Sequence, residues 1–298
     1  MITIPIQIPK HFSFGENLWF LSREDGDRSA YQAGSISRAI RVDGEAVSFT
    51  LTEKGQYLQI ELMDEHNVPQ VVSTVKAYIE DWFDIKRNIE PFYRLLEAHP
   101  GPSYMVTDFN GLRVMGNPDT FETLVWSITS QQINMTFAIK LKRALCEKYG
   151  ESVEHHGRQL PLFPLSKTLA ELEVKDLQEL QFSRQKATYI ISAATAFADG
   201  TLSKEKLMVL SSQERIDTLT ALKGVGIWTA NAVMMQSLND PSGLPLGDTG
   251  LLKALLQHGL IIDKKDTTGI TTLFRQFDGW QSYLFNYLWR SLSGPRDR

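Results

Sequence analysis

Apolar residues alternate with polar ones at Ile36, Ile40 and Val42, break at Asp43-Gly44, and alternate again at Val47, Phe49 and Leu51. A period of two on either side of a turn pair predicts a β-hairpin. Leu58, Ile60 and Leu62 repeat the period after Lys54-Gly55, which adds a third strand to an antiparallel sheet with one buried face. The spacing then changes. Val71, Val75, Tyr78, Ile79 and Trp82 fall on one helical stripe, as expected of a helix that covers such a sheet. From about residue 85 onward helical spacing dominates and strand-like alternation disappears. Phe121, Leu124, Val125 and Ile128 form an apolar face behind an Asp119/Glu122 capping box. Phe137, Leu141, Ala144 and Leu145 mark a second helix, and Ile190, Ala193, Ala194 and Phe197 mark another that stops at Asp199-Gly200. The chain reads as mostly α with an N-terminal α+β domain, without solenoid repeats or low-complexity segments.

Composition narrows the classes of function. At 298 residues, with 42% hydrophobic and 22% charged content, the chain is long enough for two or three packed units of ordinary globular type. Met1 to Phe12 lacks the basic and apolar run of a secretory signal, and no apolar stretch approaches a bilayer's thickness. A cytoplasmic protein with no membrane partner is expected. The single cysteine, Cys146, excludes an internal disulfide framework and any four-cysteine metal site, and reads as a small core hydrophobe. His155-His156 reads as a surface loop, and no His, Asp or Glu spacing resembles a catalytic metal site. The net charge of −4 is unevenly spread: residues 1–110 carry 10 Lys+Arg against 16 Asp+Glu, the remainder 21 against 19. Any phosphate binding must then rest on local backbone amides and a few cations rather than on a field from the whole protein.

The stretch Leu222 to Met235, LKGVGIWTANAVMM, follows the helical SQERIDTLTAL segment and reads helix, glycine hairpin, helix. Gly224 and Gly226 leave no side chain between the main chain and an approaching group, and the amides at the following helix start suit a phosphate oxygen. A G-x-G alone also fits a tight turn between packed helices. Asp248 lies 22 residues after Gly226, at the mouth of the apolar-periodic helix LLKALLQHGL and after a loop containing Pro241 and Pro245. Asp248 suits the N-cap of that helix, and the cap is compatible with a catalytic carboxylate because a helix N-terminus stabilises the anion.

A hairpin of the form L-x-G-V-G-x-x-T-A, followed some twenty residues later by G-D, resembles the helix-hairpin-helix DNA glycosylase superfamily. Within it the chain is similar to the bacterial 3-methyladenine DNA glycosylase II family. The similarity runs through FDIKRNIEPFY (Phe83 to Tyr93), GLRVMGNPDTFETLVWSITSQQI (Gly111 to Ile133), the hairpin, the Asp248 segment and GWQSY (Gly279 to Tyr283). It implies an antiparallel-sheet α+β domain of TATA-binding-protein-like topology over residues 1–88. It implies a helical domain from 89–115 and 241–298, carrying the catalytic Asp and an aromatic pocket wall, and a second over 116–240 that ends in the helix-hairpin-helix. The active-site cleft would lie between the two.

The resemblance assigns roles residue by residue. Asp248 is the catalytic carboxylate; Trp228 and Trp280 line the base pocket, with core packing as the bland alternative for each; Leu222, Lys223, Gly224, Val225, Gly226 and Thr229 form the hairpin that meets the DNA backbone. Gln132, with Ile133, is the wedge that fills the gap left by an extruded base; solvated amides on a helix–helix turn are the bland reading of Gln131 and Gln132. Lys223, Arg184 and Lys186 read equally as solvated charges. Bifunctional relatives place a Schiff-base lysine two positions after the last hairpin glycine, where this chain has Trp228, so hydrolysis without strand nicking is expected. A close relative's tyrosine four residues further is Ala232 here, which leaves a roomier pocket. No cofactor is expected beyond a structural monovalent cation on the hairpin carbonyls.

The implied activity is release of alkylated purines, 3-methyladenine and 7-methylguanine, from double-stranded DNA by base flipping, in a monomer, since a single lesion offers no two-fold symmetry. Such bases are cationic and leave as neutral molecules, so an electron-rich aromatic pocket prefers them and no strong general acid is needed. Two rival readings stand beside it: a damage-binding protein without catalysis, and a glycosylase for oxidised or mismatched bases.

Overall fold

A computed structural model describes residues 2–22, 30–32, 34–63 and 68–293. The chain opens with β1 (Ile2–Gln7), α1 (Phe14–Ser22), β2 (Ala30–Gln32), β3 (Ser35–Val42), β4 (Glu45–Lys54), β5 (Tyr57–Leu62) and α2 (Pro69–Trp82). The five strands form one antiparallel sheet in the order β1-β5-β4-β3-β2. Asp43 and Gly44, at φ 50° and 89°, make the two-residue turn whose left-handed backbone matches strand twist. Leu51 stands opposite Ile36 on one side and Ile60 on the other, and this face buries Val75, Ile79 and Trp82 of α2. The expected hairpin, third strand and covering helix are all present; β1 and β2 extend the sheet at its edges.

The remaining elements are α3 (Glu90–Glu97), α4 (Met105–Asp108), α5 (Thr120–Ser130), α6 (Met135–Tyr149), β6 (Glu151–His155), β7 (Arg158–Leu162), α7 (Ser166–Ala170), α8 (Val174–Glu179), α9 (Arg184–Ala198), α10 (Lys204–Met208), α11 (Ser212–Thr220), α12 (Ile227–Ser237), α13 (Thr249–Gln257), α14 (Thr267–Arg275) and α15 (Gln281–Ser291). Asp119 caps α5 by accepting from the Glu122 amide at 3.0 Å, and the buried Glu122 carboxylate meets Lys142 at 2.9 Å.

Two expectations need correction. Strand pairing does not end near residue 85, because β6 and β7 form a hairpin inside the helical region. Nor is the first sheet buried on one face only: Ala39 on its far side packs with Leu160 and Leu162 of β7. His155 is accordingly no surface loop. Its ring is buried between Ser48 Oγ, 2.9 Å from Nδ1, and Thr50 Oγ1, 2.7 Å from Nε2. Burial, reinforced by His156, holds its pKa below the usual histidine value. The turn is His156-Gly157, at φ 50° and 75°, with His156 paired to Glu61 at 3.3 Å. A five-residue strand with charged residues on its outer face and a proline in its partner offers too little alternation to register as β.

Two helical cores follow. One gathers Leu124, Ile128, Leu141, Ile190, Leu219 and Val233. The other joins Ile89, Phe92 and Leu112 to Leu251, Leu255 and Tyr287, so chain segments far apart in sequence share one core. Helix α1 is keyed to that second core: Asn17 bonds both the Gly111 carbonyl, at 3.2 Å, and the Arg113 amide, at 2.9 Å, and Glu16 pairs with Arg290. Among the described residues no helix is long and apolar enough to cross a membrane.

Candidate functional site

The glycine hairpin joins α11 to α12. Gly224 has φ +87°, and a Cβ there would lie 2.0 Å from the Tyr189 ring, so both backbone angle and packing demand glycine. Val225 is buried and pins the turn into the first helical core. Gly226 is different. It caps α12 with ordinary extended angles, φ −93° and ψ 176°, and a Cβ would meet nothing within 4 Å. Neither strain nor packing within the fold requires a glycine there. The first bond of the helix runs from the Ala230 amide to the Gly226 carbonyl at 2.9 Å, so the amides of Ile227, Trp228 and Thr229 have no acceptor within the helix. An anion fits there. Lys223 is exposed beside it.

Thr229 does not present its hydroxyl outward. It is buried, and its Oγ1 accepts from Gln131 Nε2 at 3.0 Å, while the same amide donates to the Gly224 carbonyl at 3.1 Å. Gln131 therefore ties the turn between α5 and α6 to the hairpin, rather than being solvated. Gln132 follows at φ +55°, exposed, in a left-handed conformation that costs a non-glycine residue about 1 kcal/mol or more. Ile133 is half-buried against the first helical core and does not point outward with it. From the other side Lys186 Nζ donates to the Thr129 carbonyl at 2.6 Å. Desolvation lowers its pKa, and its charge sits at the carbonyl end of α5, where a cation is favoured. Lys186 thus has a structural partner, and Gln132 stands exposed on a turn held at both ends.

Asp248 caps α13. Its Oδ1 accepts from the Leu251 amide at 2.8 Å and from Trp289 Nε1 at 2.7 Å, while Oδ2 accepts from no described residue. The loop before it is fastened at several points. Asp240 is buried and meets Arg215 of α11 at 2.7 Å. Asn231 of α12 accepts from the Leu244 amide at 3.0 Å, and Ser282 of α15 donates to the carbonyls of Asp240 and Gly243 at 2.7 and 2.8 Å. Asn231 is three residues past Trp228, and Ser282 two past Trp280. One loop thereby links the helices that carry both tryptophans to the helix that Asp248 caps.

The tryptophans differ in surroundings. Trp228 is half-buried and belongs to none of the hydrophobic cores. Trp280 stacks on Phe92, with centroids 5.9 Å apart and 27° between planes, and stands edge-on to Tyr283 at 5.4 Å. Tyr283 donates in turn to the buried Asp84 at 2.7 Å. Trp280 is a half-exposed plate on a fixed aromatic base, as a stacking platform requires. Ala232 is fully buried. Among the described residues no group of His, Cys, Asp and Glu could hold a metal ion. The carbonyls of Leu222 and Gly224 accept from the Val225 amide and from Gln131 Nε2, at 3.1 Å each.

Sequence reasoning missed Trp289, and gave Gln131 no role beyond a solvated amide on its turn. Trp289 stands 41 residues from Asp248, at no recognisable motif, and only the packing of α15 on α13 brings them together. Gly250 carried the one available signal: a Cβ there would lie 2.4 Å from the Trp289 ring, so a glycine inside a helix's first turn marks a close approach.

Residues 125–277 match the HhH-GPD superfamily of base excision DNA repair proteins, and residues 6–124 match the N-terminal domain of 8-oxoguanine DNA glycosylase. A DNA-3-methyladenine glycosylase of Bacillus subtilis is 33% identical over 97% of this chain and 97% of its own length. Among solved structures, the 3-methyladenine DNA-glycosylase of Archaeoglobus fulgidus shares the fold with a TM-score of 0.83 at 22% identity, covering 97% of both chains. The Clostridium acetobutylicum 8-oxoguanine glycosylase/lyase in complex with double-stranded DNA gives 0.76 at 20% identity, covering 98% of both.

Proposed function

Because the chain belongs to the HhH-GPD superfamily of base excision DNA repair proteins, we propose that it is a monomeric, monofunctional DNA glycosylase that flips alkylated purines out of the duplex and hydrolyses their glycosidic bond. The observation that carries this reading is Asp248, held by two donors on one oxygen with the other left open, beside a loop tied to the helices of Trp228 and Trp280. The B. subtilis relative supports the substrate class.

Rotating a nucleotide out of the stack costs a few kcal/mol. Stacking on Trp280 returns about 1–3 kcal/mol, and a cationic purine over a desolvated tryptophan adds about 2 kcal/mol. Gln132 fills the vacated space, while the Gly226 to Thr229 amides hold a backbone phosphate. Bond cleavage sends the electron pair to the base, which leaves neutral, and positive charge grows on the deoxyribose. Asp248 Oδ2 stabilises that charge and takes a proton from the water that bonds to the sugar carbon. The product is an abasic site. Trp228 occupies the position of the Schiff-base lysine in bifunctional relatives, so no strand nick follows. No step needs a cofactor; a monovalent cation on the Leu222 and Gly224 carbonyls would supply only rigidity to the hairpin.

The match of residues 6–124 to the 8-oxoguanine glycosylase N-terminal domain favours a second reading, release of oxidised bases. A duplex panel separates the two. Chromatography should find 3-methyladenine and 7-methylguanine released, 8-oxoguanine retained, and borohydride should trap no covalent complex. Release of 8-oxoguanine in preference would install the second reading, a trapped adduct would refute hydrolysis without lyase activity, and binding without any release would leave a damage-binding protein.

The hairpin glycines should behave oppositely. Gly226→Ser is expected to keep the melting temperature, since serine is a good N-cap and meets open space, yet to weaken duplex affinity about tenfold by obstructing the phosphate. Gly224→Ala should cost about 2–4 kcal/mol of stability, from its backbone angle and the Tyr189 clash. Thermal melts with anisotropy titrations check both, and undiminished affinity in Gly226→Ser would refute the phosphate contact.

A further inference from the structure

We propose that Trp289 is a positioning residue for the Asp248 carboxylate, and that Gly250 exists to admit it. This inference rests on the assignment of Asp248 as the catalytic group. A carboxylate on a cap residue has one fixed donor, the helix amide, and can still swing about its terminal bond. Here a second donor arrives from another helix. The Leu251 amide at 2.8 Å and Trp289 Nε1 at 2.7 Å converge on Oδ1, so the carboxylate is held through that oxygen and Oδ2 is the one with no donor among the described residues. An indole N–H donates only and cannot rotate into an acceptor, so it suits this task better than a hydroxyl or an amide.

The clearance shows that the approach is built in. A Cβ at Gly250 would lie 2.4, 2.6 and 2.6 Å from three atoms of the Trp289 ring, including Nε1 itself. Alanine is otherwise the better residue in a helix, so glycine at this position is accounted for by the indole's path. Trp289 packs with the second helical core, and its neighbour Arg290 is paired with Glu16 over the Phe109 ring, 4.5 Å from its centroid. The donor is therefore fixed by the body of the protein and not by the loop that bears Asp248.

The test is single-turnover base release from methylated duplex by Trp289→Phe, Gly250→Ala, their combination, and Asp248→Asn, with affinity for an abasic-site duplex measured alongside. Trp289→Phe keeps the bulk and removes the donor; Gly250→Ala keeps the donor and displaces it. Each should slow release about ten- to hundredfold, the rate equivalent of one hydrogen bond to a charged group, with abasic-site affinity and circular dichroism unchanged. The double variant should lose no more than the slower single, because both remove one interaction. A wild-type rate in Trp289→Phe, or losses that multiply in the double variant, would overturn the proposal. A wild-type rate in Asp248→Asn would instead sink the catalytic assignment beneath it.

Discussion

Replacing Asp248 by asparagine should abolish base release while leaving the protein folded and able to bind DNA. The substitution is isosteric, and an asparagine oxygen can accept from both the Leu251 amide and Trp289 Nε1, the two bonds that hold the native side chain. Asparagine is also about as good an N-cap as aspartate, so α13 keeps its start and the melting temperature should move by less than about 1 kcal/mol of stability. Only the negative charge goes. If that charge stabilises the developing cation on the sugar, its loss should slow single-turnover release of 7-methylguanine by about two to three orders of magnitude, the range found when one preorganised electrostatic group is removed from an active site. Affinity for an abasic-site duplex should persist. A variant that releases base at the native rate would reduce Asp248 to a helix cap, and one that is inactive because it is unfolded would show in its melting curve.

The readable parts of the molecule are those where a local rule acts on neighbouring residues. Ile36 to Leu62 alternates because one face of the sheet packs on α2, and the Asp43-Gly44 turn needs left-handed backbone that those two residues supply. The Gly224 to Gly226 hairpin was legible for the same reason, although the two glycines serve different ends, one demanded by Tyr189 and the other by nothing inside the fold. The β6–β7 hairpin escaped detection because its burial is supplied by a sheet more than a hundred residues earlier: His155 finds Ser48 and Thr50 there, and no local pattern announces it.

Around the candidate site the division is sharper. Cap residues such as Asp248 and Asp119 are fixed by helices that begin at the next residue, and both stand where the sequence suggests. Side-chain direction is another matter. Thr229 and Ile133 occupy motif positions but turn inward: Thr229 is buried with its hydroxyl on Gln131, and Ile133, in the turn before α6, packs against the first helical core. Trp289 and Gln131 matter through partners 41 and 93 or more residues distant, which only the assembled helices bring within reach.

Breaking the Glu16–Arg290 pair should produce the largest loss of stability available from a single side chain here. Both side chains are about as buried as any in the protein, at 1% exposure, and Arg290 lies over Phe109 at 4.5 Å. Arg290→Met takes the Arg290 cation away from the buried Glu16 carboxylate, a change worth about 3–5 kcal/mol, or on the order of 10 °C in melting temperature for a chain of this size. Adding Glu16→Leu removes the buried charge as well and should restore most of the loss, since two apolar groups of similar volume often replace a buried ion pair at little cost. The pair also has a place in the architecture. It binds α1, from the N-terminal α+β region, to the residue after Trp289, on the helix that carries both the Asp248 donor and, at its cap, Trp280. The single variant should therefore slow base release even at temperatures where it remains folded, and the double variant should recover stability more completely than rate, because a packed methionine fixes α15 less firmly than a bonded guanidinium. Thermal melts and single-turnover assays on the same samples decide it. If Arg290→Met melts within about 1 kcal/mol of wild type, the N-terminal region is not anchored through this pair, and the orientation of α15 must come from its other contacts, those of Ser282, Tyr283, Asn286 and Tyr287 among them.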